Sequence, residues 1–219
     1  MEEAAYSPWM EDLRKRLARS WPARPLVSER LESAGSSALR PAAVLIPLYV
    51  REKALWTLFT KRTDLVEHHK GQISFPGGGK HEADANLWET AVRETEEEIG
   101  VPRKGVRILG ALPRLVTVTE FEIAPFVGAI PYPVAFAPQP GEVESIIEVP
   151  LAYLLDPMVV EERPVKWKGK DVMTLVYHYR GHAIWGATAR ILADLLAVMR
   201  DGEEPDPGRG PTASTSPKR

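Results

Sequence analysis

The apolar residues of the chain fall into short, nearly uninterrupted segments separated by polar residues, which is the pattern of strands. Segments 42–50 and 54–62 are almost entirely apolar, and the charged residues between them predict a turn. We therefore expect two adjacent strands joined as a hairpin. Further strands are predicted at 71–75, 105–112, 121–130 and 143–149, with a hairpin at 158–180 and either strand or loop at 113–120.

Three other segments repeat apolar residues at the spacing of a helix. The first begins with Ser7 and Pro8, a pair that is typical of a helix start. The apolar positions of that helix are Trp9, Leu13 and Leu17. Two more helices are predicted at 86–99 and 186–199, and proline-rich loops at 22–41 and 131–141.

Strands interrupted by a few helices predict an α/β (α+β) sandwich rather than a helical bundle. The central domain is predicted to span residues 42–200. Residues 1–41 are predicted to form an N-terminal helix and a connecting loop that pack on this domain. Residues 201–219 have no apolar periodicity, so a disordered tail is predicted there.

Composition narrows the class of protein. The chain has 219 residues, of which 44% are hydrophobic and 26% charged, and its formal net charge is -2. That charge disfavours binding to nucleic acid. The absence of cysteine excludes disulfides, thiolate nucleophiles and cysteine zinc sites. No apolar run reaches the length of about 20 residues that spans a membrane, and the acidic first residues lack a signal-type core. We expect a cytoplasmic protein that has no membrane partner, and a homodimer is compatible with the sequence.

The most informative segment places three glycines, Gly77–Gly79, before a helix that ends in a run of glutamates. On a helix Glu94 and Glu98 share one face and Glu97 flanks it, so three carboxylates would repel each other unless a cation binds them. Mg²⁺ suits such oxygen ligands. The alternative is a solvated acidic helix beside a flexible loop. The segment lacks the Lys-Ser/Thr end of a P-loop and the GxGxxG spacing.

The spacing from Gly79 through position 85 to Arg93 and the glutamates resembles the Nudix box, Gly-x5-Glu-x7-Arg-Glu-apolar-x-Glu-Glu-x-Gly-apolar. This resemblance implies an α/β/α sandwich with a mixed central sheet. It also implies Mg²⁺- or Mn²⁺-dependent hydrolysis of nucleoside diphosphates linked to another moiety. By resemblance the metal ligands are Glu94, Glu97 and Glu98, with the Gly79 carbonyl as an extra one. Arg93 would pair with a helix carboxylate and orient it.

Two positions depart from the box. Ala85 stands where the box has its first glutamate, and Thr95 replaces an apolar residue. The lost glutamate usually supports the site from outside the innermost metal shell, so its absence weakens the case for catalysis without removing it. Asp84 and Glu82 are the carboxylates that could take its place.

Residues 58–78 resemble the motif that precedes the box in the coenzyme A pyrophosphatase branch of the family. The matching residues are Leu58, Thr60, Arg62, Gly71, Phe75, Pro76, Gly77 and Gly78. Glu67 stands where this branch has a second arginine, Thr63 is a mild substitution, and residues 179–196 also resemble the branch. The resemblance implies hydrolysis of coenzyme A to 3′,5′-ADP and a 4′-phosphopantetheine product.

Local cations would bind the phosphates of such a substrate, and the glycines would let the backbone approach its pyrophosphate. The predicted substrate-binding residues are Lys61, Arg62, His69, Gly77 and Gly78. The general base is Glu98 or Glu94 from the helix, or a carboxylate from a later loop. The leading residue of that kind is Glu142, with Glu120 and Glu122 as alternatives. An ADP-ribose or nucleotide-sugar pyrophosphatase, or a nucleotide-binding module without catalysis, are the alternative functions.

Overall fold

The computed structural model describes residues 8–20, 39–63, 71–117, 119–167 and 170–200. The helices are α1 (Pro8–Ser20), α2 (Leu87–Ile99), α3 (Leu151–Leu154) and α4 (Gly186–Met199), with short 3-10 turns at Arg103–Gly105 and Pro157–Val159. The strands are β1 (Arg40–Arg51), β2 (Ala54–Arg62), β3 (Ile73–Ser74), β4 (Gly77–Gly79), β5 (Arg107–Ala111), β6 (Leu115–Val116), β7 (Phe121–Ala129), β8 (Val143–Pro150), β9 (Val160–Trp167), β10 (Lys170–Tyr179) and β11 (His182–Trp185).

Strand β1 lies at the centre of the main sheet. It runs parallel to β7 and antiparallel to β2, so the sheet is mixed. The order across the sheet is β3-β2-β1-β7-β5, while β8 pairs with β2, β4 with β1 and β6 with β7. The last three strands form a separate antiparallel sheet in the order β11-β10-β9.

The apolar run of β1 is explained by burial on both faces of the sheet. Leu45 and Tyr49 belong to a core cluster that also contains the apolar side of α2. Ile46 and Leu48 point the other way, into a larger cluster shared with α1 and α4. A strand covered on both sides reads as a continuous apolar segment instead of an alternating one. The predicted α/β/α sandwich with a mixed central sheet is confirmed.

The terminal helices pack on the same side of the sheet. The predicted residues Leu13 and Leu17 of α1 are buried there together with Met10. Trp9 is wrongly predicted to lie on the apolar face, because its side chain is 52% exposed and Met10 takes the buried position. No helix in the described ranges is long and apolar enough to cross a membrane.

Several predicted boundaries change. The third strand is limited to Ile73–Ser74, and β1 begins at Arg40, inside the predicted connecting loop. The glycines that were expected to form a loop are strand β4, which pairs with residues 42–44 of β1. The predicted tail, 201–219, and most of the connecting segment lie outside the described residues.

Candidate active site

Helix α2 has well-defined ends, and these fix the positions of its glutamates. The Asn86 side chain caps the N-terminus by accepting a hydrogen bond of 3.0 Å from the Glu89 backbone N–H. Gly100 ends the helix with φ 74°, the left-handed conformation that favours glycine. Leu87, Ala91 and Ile99 are buried against the sheet.

Glu98 is the most deeply buried carboxylate of the helix, with a side chain that is only 4% exposed. Its Oε2 accepts a hydrogen bond of 3.3 Å from the Gly77 backbone N–H. The Arg62 Nη1 lies 3.8 Å from its Oε1. Burial raises the pKa of Glu98 to about 8, although the Arg62 charge and the Gly77 hydrogen bond lower it.

Glu94 lies one turn earlier, against strand β4. A Cβ atom on Gly78 would be 2.5 to 2.6 Å from the Glu94 carboxylate atoms, so a larger residue there would displace the carboxylate from this position. The side chain of Glu94 is 14% exposed and 2.8 Å from Nη1 of Arg93. Burial nevertheless raises its pKa. Glycine at position 78 thus lets the backbone approach the Glu94 side chain closely. Within β4, positive φ occurs only at Gly77.

Glu97 is more exposed than the other two glutamates of the predicted site. Its side chain is 52% exposed and pairs with Arg93 Nη1 at 2.9 Å and Arg103 Nη2 at 3.9 Å. Arg93 Nη1 also lies 2.8 Å from Glu94 Oε1, so the Glu94 and Glu97 carboxylates share one guanidinium nitrogen. No three acidic or histidine side chains in the described part of the chain form a group ready to hold a metal ion.

Arg93 connects the helix to the segment before it through a buried pair with Asp84. Its Nε donates to Asp84 Oδ1 at 2.9 Å and its Nη2 to Asp84 Oδ2 at 3.1 Å. Asp84 Oδ2 also accepts from the His81 backbone N–H and the Thr90 hydroxyl, each at 2.9 Å. The Arg93 hydrogen bond is the main reason that the pKa of Asp84 lies well below its usual range.

Asp84 therefore provides a buried carboxylate next to Ala85, where the box has glutamate. Of the two candidates, the geometry selects Asp84, and Glu82 has no part in this network. The predicted pairing of Arg93 with helix carboxylates is also present, through Glu94 and Glu97. The Gly79 carbonyl, predicted as an extra ligand, accepts a hydrogen bond of 3.1 Å from Arg93 Nη2.

Glu142 lies in a turn that is bonded to the C-terminal end of α2. The Gln139 backbone N–H donates to the Glu98 carbonyl at 2.9 Å, and Gln139 Oε1 accepts from the Glu142 N–H at 2.9 Å. The negative charge of Glu142 contributes to the raised pKa of both Glu94 and Glu98, which places its carboxylate within electrostatic reach of them. The alternatives are engaged elsewhere: Glu122 pairs with Arg114, and Glu120 is exposed in the turn before β7.

The predicted substrate-binding cations occupy different environments. Arg62 faces Glu98, and its Nε is buried with no hydrogen-bond partner among the described residues. Lys61 donates to Glu144 Oε1 at 2.7 Å, which compensates its charge within the protein. His69 lies outside the described residues.

The donor set suits a hard divalent cation. Glu98 is buried and the Glu94 side chain is 14% exposed, and burial is the main reason that the pKa of each is raised, because it disfavours the charged form. Carboxylate oxygens are the ligands that Mg²⁺ and Mn²⁺ prefer. A cation at this position would restore the charge balance, so the residues present fit such an ion.

Comparison with known proteins agrees with this geometry. The sequence pattern of the NUDIX domain matches residues 39–166. A Klebsiella pneumoniae protein named "Uncharacterized Nudix hydrolase NudL" is 36% identical over 156 residues, which cover 71% of this chain and 81% of that protein. A Cronobacter sakazakii protein of the same name is 35% identical over 166 residues, covering 76% and 85% of the two chains.

Among solved structures, a MutT/nudix family protein from Enterococcus faecalis superposes with a TM-score of 0.47 and 12% sequence identity, covering 77% of this chain and 64% of that one. The extent of the sequence matches establishes the relationship independently of this superposition. The chain that carries the Glu94–Glu98 site belongs to the Nudix family of hydrolases.

Proposed function

We propose that this Nudix hydrolase cleaves the pyrophosphate bond of coenzyme A or its derivatives, with Mg²⁺ or Mn²⁺, to give 3′,5′-ADP and a 4′-phosphopantetheine product. The observation that carries the proposal is the pair of buried carboxylates, Glu94 and Glu98, held against the backbone of Gly77 and Gly78. Burying two carboxylates beside each other is costly unless a cation and an anionic ligand share the site.

The cation would be held by Glu94 and Glu98, with Glu97 and the Gly79 carbonyl as further candidate ligands at the edge of the site. Such an ion neutralises pyrophosphate charge and lowers the pKa of a bound water toward neutrality. Arg62 Nη1, close to Glu98, would bind a phosphate oxygen of the substrate. Arg93 does not need to contact the substrate, because its contacts to Asp84 and Glu94 already orient the helix carboxylates.

A general base must accept the proton of the attacking water. Glu142 is our choice, because it is exposed and lies within electrostatic reach of Glu94 and Glu98 without sharing their burial. Glu94 and Glu98, as ligands of the cation, would have their lone pairs engaged in binding it.

Support for coenzyme A comes from the resemblance of residues 58–78, some of which pack or hydrogen-bond with each other beside the site. The Phe59 and Phe75 rings pack at a tilt of 32° with centroids 4.6 Å apart, and the Thr60 hydroxyl donates to the Ser74 carbonyl at 3.3 Å. These contacts hold β2 beside the segment that leads into Gly77. Arg62 ends β2 close to Glu98, and its side chain is partly exposed.

Hydrolysis of ADP-ribose or a nucleotide sugar is the second candidate, because the same carboxylates would serve any pyrophosphate. A nucleotide-binding module without catalysis is less consistent with the site, since binding alone does not require two buried carboxylates. Ala85 is a departure from the box that favours such a module. It is a weaker argument because the adjacent Asp84 supplies a buried carboxylate.

One substrate panel tests the proposal. The purified chain is incubated with coenzyme A, dephospho-coenzyme A, ADP-ribose or NADH, each with Mg²⁺, Mn²⁺ or EDTA, and products are separated by ion-exchange chromatography. We expect metal-dependent release of 3′,5′-ADP, with kcat/KM highest for coenzyme A. A higher kcat/KM for ADP-ribose would replace the substrate assignment, and no turnover of any substrate would overturn the catalytic one.

The panel also gives the role of Arg62. An Arg62→Ala variant is expected to raise KM by about tenfold, the effect of losing one charge-assisted contact of about 1.4 kcal/mol. Arg114→Ala is the matched control, because Arg114 pairs with Glu122 away from Glu98. An unchanged KM for Arg62→Ala would remove this residue from the phosphate site.

A further inference from the structure

The turn that carries Glu142 is attached to the protein on two sides. On one side, the Gln139 backbone N–H donates to the Glu98 carbonyl at 2.9 Å, at the end of α2. On the other side, Thr63 makes two hydrogen bonds: its backbone N–H donates to the Glu142 carbonyl at 3.0 Å, and its hydroxyl donates to the Gly141 carbonyl at 3.2 Å. The turn thus joins the helix to the end of β2.

Thr63 is well suited to this contact. Its side chain is 7% exposed, although the turn that it contacts lies on the surface. It directly follows Arg62, whose Nη1 is 3.8 Å from Glu98 Oε1. The last residue of β2 and the residue that follows it therefore have different tasks, Arg62 being directed at the helix carboxylate and Thr63 at the turn.

We propose that Thr63 is a positioning residue, whose hydroxyl holds the Gly141–Glu142 backbone so that the Glu142 carboxylate faces the Glu94–Glu98 pair. The inference rests on the proposed function, in which Glu142 is the general base. It adds a role for a residue that does not contact the substrate.

The physical reason is that an exposed turn can change position, whereas a general base must stay at a fixed distance from the water. A proton is transferred only when the carboxylate lies within about 3 Å of the water that it deprotonates. A displacement of about 1 Å by a remote change can cost up to about 100-fold in rate. The Gly141 carbonyl bond restrains the peptide that directly precedes Glu142, so losing the hydroxyl lets this peptide move.

The first test compares three variants for kcat and KM with coenzyme A and Mg²⁺. Thr63→Val removes the hydroxyl and keeps the shape, and we expect kcat to fall about tenfold while KM stays within about twofold. Thr63→Ser keeps the hydroxyl and should restore kcat to within about twofold of wild type. Thr57→Val, in the strand that precedes Thr63, is the matched control, because the Thr57 hydroxyl is buried with no hydrogen-bond partner among the described residues. It should leave kcat and KM unchanged.

The second test separates positioning from a general structural effect. Glu142→Gln alone should lower kcat by at least about 100-fold, as expected for loss of a general base. In the Glu142→Gln background, adding Thr63→Val should have no further effect on kcat, because the carboxylate that it positions is gone. Thermal unfolding of every variant, followed by circular dichroism, confirms that each is folded at the assay temperature.

The outcomes distinguish the two levels of the proposal. Wild type that hydrolyses no substrate in the panel overturns the proposed function and this inference together. An active wild type with a Thr63→Val kcat within twofold of wild type, or a tenfold Thr63→Val effect that persists in the Glu142→Gln background, overturns only the role of Thr63. Wild-type turnover by Glu142→Gln removes the base and with it the positioning role, while the metal site stands.

Discussion

Asp84 gives the sharpest test of how the site is held together, because the sequence alone could not choose between it and Glu82. Its carboxylate accepts four hydrogen bonds, two from Arg93 and one each from His81 N–H and Thr90 Oγ1. The side chains of Asp84 and Arg93 are 5% and 9% exposed. Solvent screening is therefore weak, and the values for exposed surface pairs do not apply.

The loss of stability expected for Asp84→Ala follows from the contacts that Arg93 keeps and the contacts that it loses. The Arg93 guanidinium would remain buried with Glu94, Glu97 and the Gly79 carbonyl, but it would lose its bidentate partner. Removing one partner of a buried ion pair costs about 3–5 kcal/mol. We expect the free energy of unfolding to fall by about that amount, and the helix carboxylates to lose their fixed orientation.

The pH dependence has a definite sign. Arg93 lowers the pKa of Asp84 in the folded protein below the value of about 3.9 found in unfolded chains. A group whose pKa is lower in the folded than in the unfolded protein stabilises the fold at any pH above its unfolded-state pKa. This contribution is lost as the pH falls through the folded-state pKa. The difference in stability between wild type and Asp84→Asn should therefore be constant from pH 5 to 8 and shrink below pH 4.

Urea unfolding followed by tryptophan fluorescence measures these differences, since the chain has six tryptophans. Asp194→Asn is the matched control, because burial raises the pKa of Asp194 and its side chain is 12% exposed. At that position the uncharged asparagine should leave the free energy of unfolding unchanged or raise it at pH 7. If Asp84→Ala lost less than about 1 kcal/mol, or if Asp84→Asn and Asp194→Asn behaved alike, the reasoning would be wrong.

Two other predictions concern single residues. Gly78→Ala should abolish metal-dependent turnover, because its Cβ would overlap the Glu94 carboxylate. Gly79→Ala is the control: no atom lies within 4 Å of the added Cβ, so this variant should retain most activity. Thr57→Val should raise the free energy of unfolding by about 1 kcal/mol, since it removes a buried hydroxyl that has no partner in the described ranges; a loss of stability in urea unfolding would contradict this.

The sandwich could be predicted because its main elements are strongly patterned. The apolar run of β1 and the amphipathic α2 each reflect burial that the order of residues encodes directly. Strand β4 could not be predicted, because three glycines carry no apolar pattern. They form a strand because β1 and Glu94 approach from two sides, and such close approach depends on tertiary packing.

The candidate site was predictable only in part for the same reason. Helical spacing places Glu94 and Glu98 on one face, but it cannot show that Glu97 is half exposed and pairs with both Arg93 and Arg103. The role of Thr63 depends on a contact across 78 positions of sequence, for which local pattern gives no signal. The cytoplasmic location, the homodimer and the domain boundaries stay predictions from the sequence.

The central claim is that the buried Glu94–Glu98 pair supports metal-dependent hydrolysis, and one variant tests it most directly. Glu98→Gln preserves the size of the side chain, and Gln can accept the Gly77 hydrogen bond. The initial rate of 3′,5′-ADP release from coenzyme A at saturating Mg²⁺ should fall at least about 100-fold, while the thermal unfolding temperature stays near that of wild type. A Glu98→Gln variant with turnover within threefold of wild type would contradict the account.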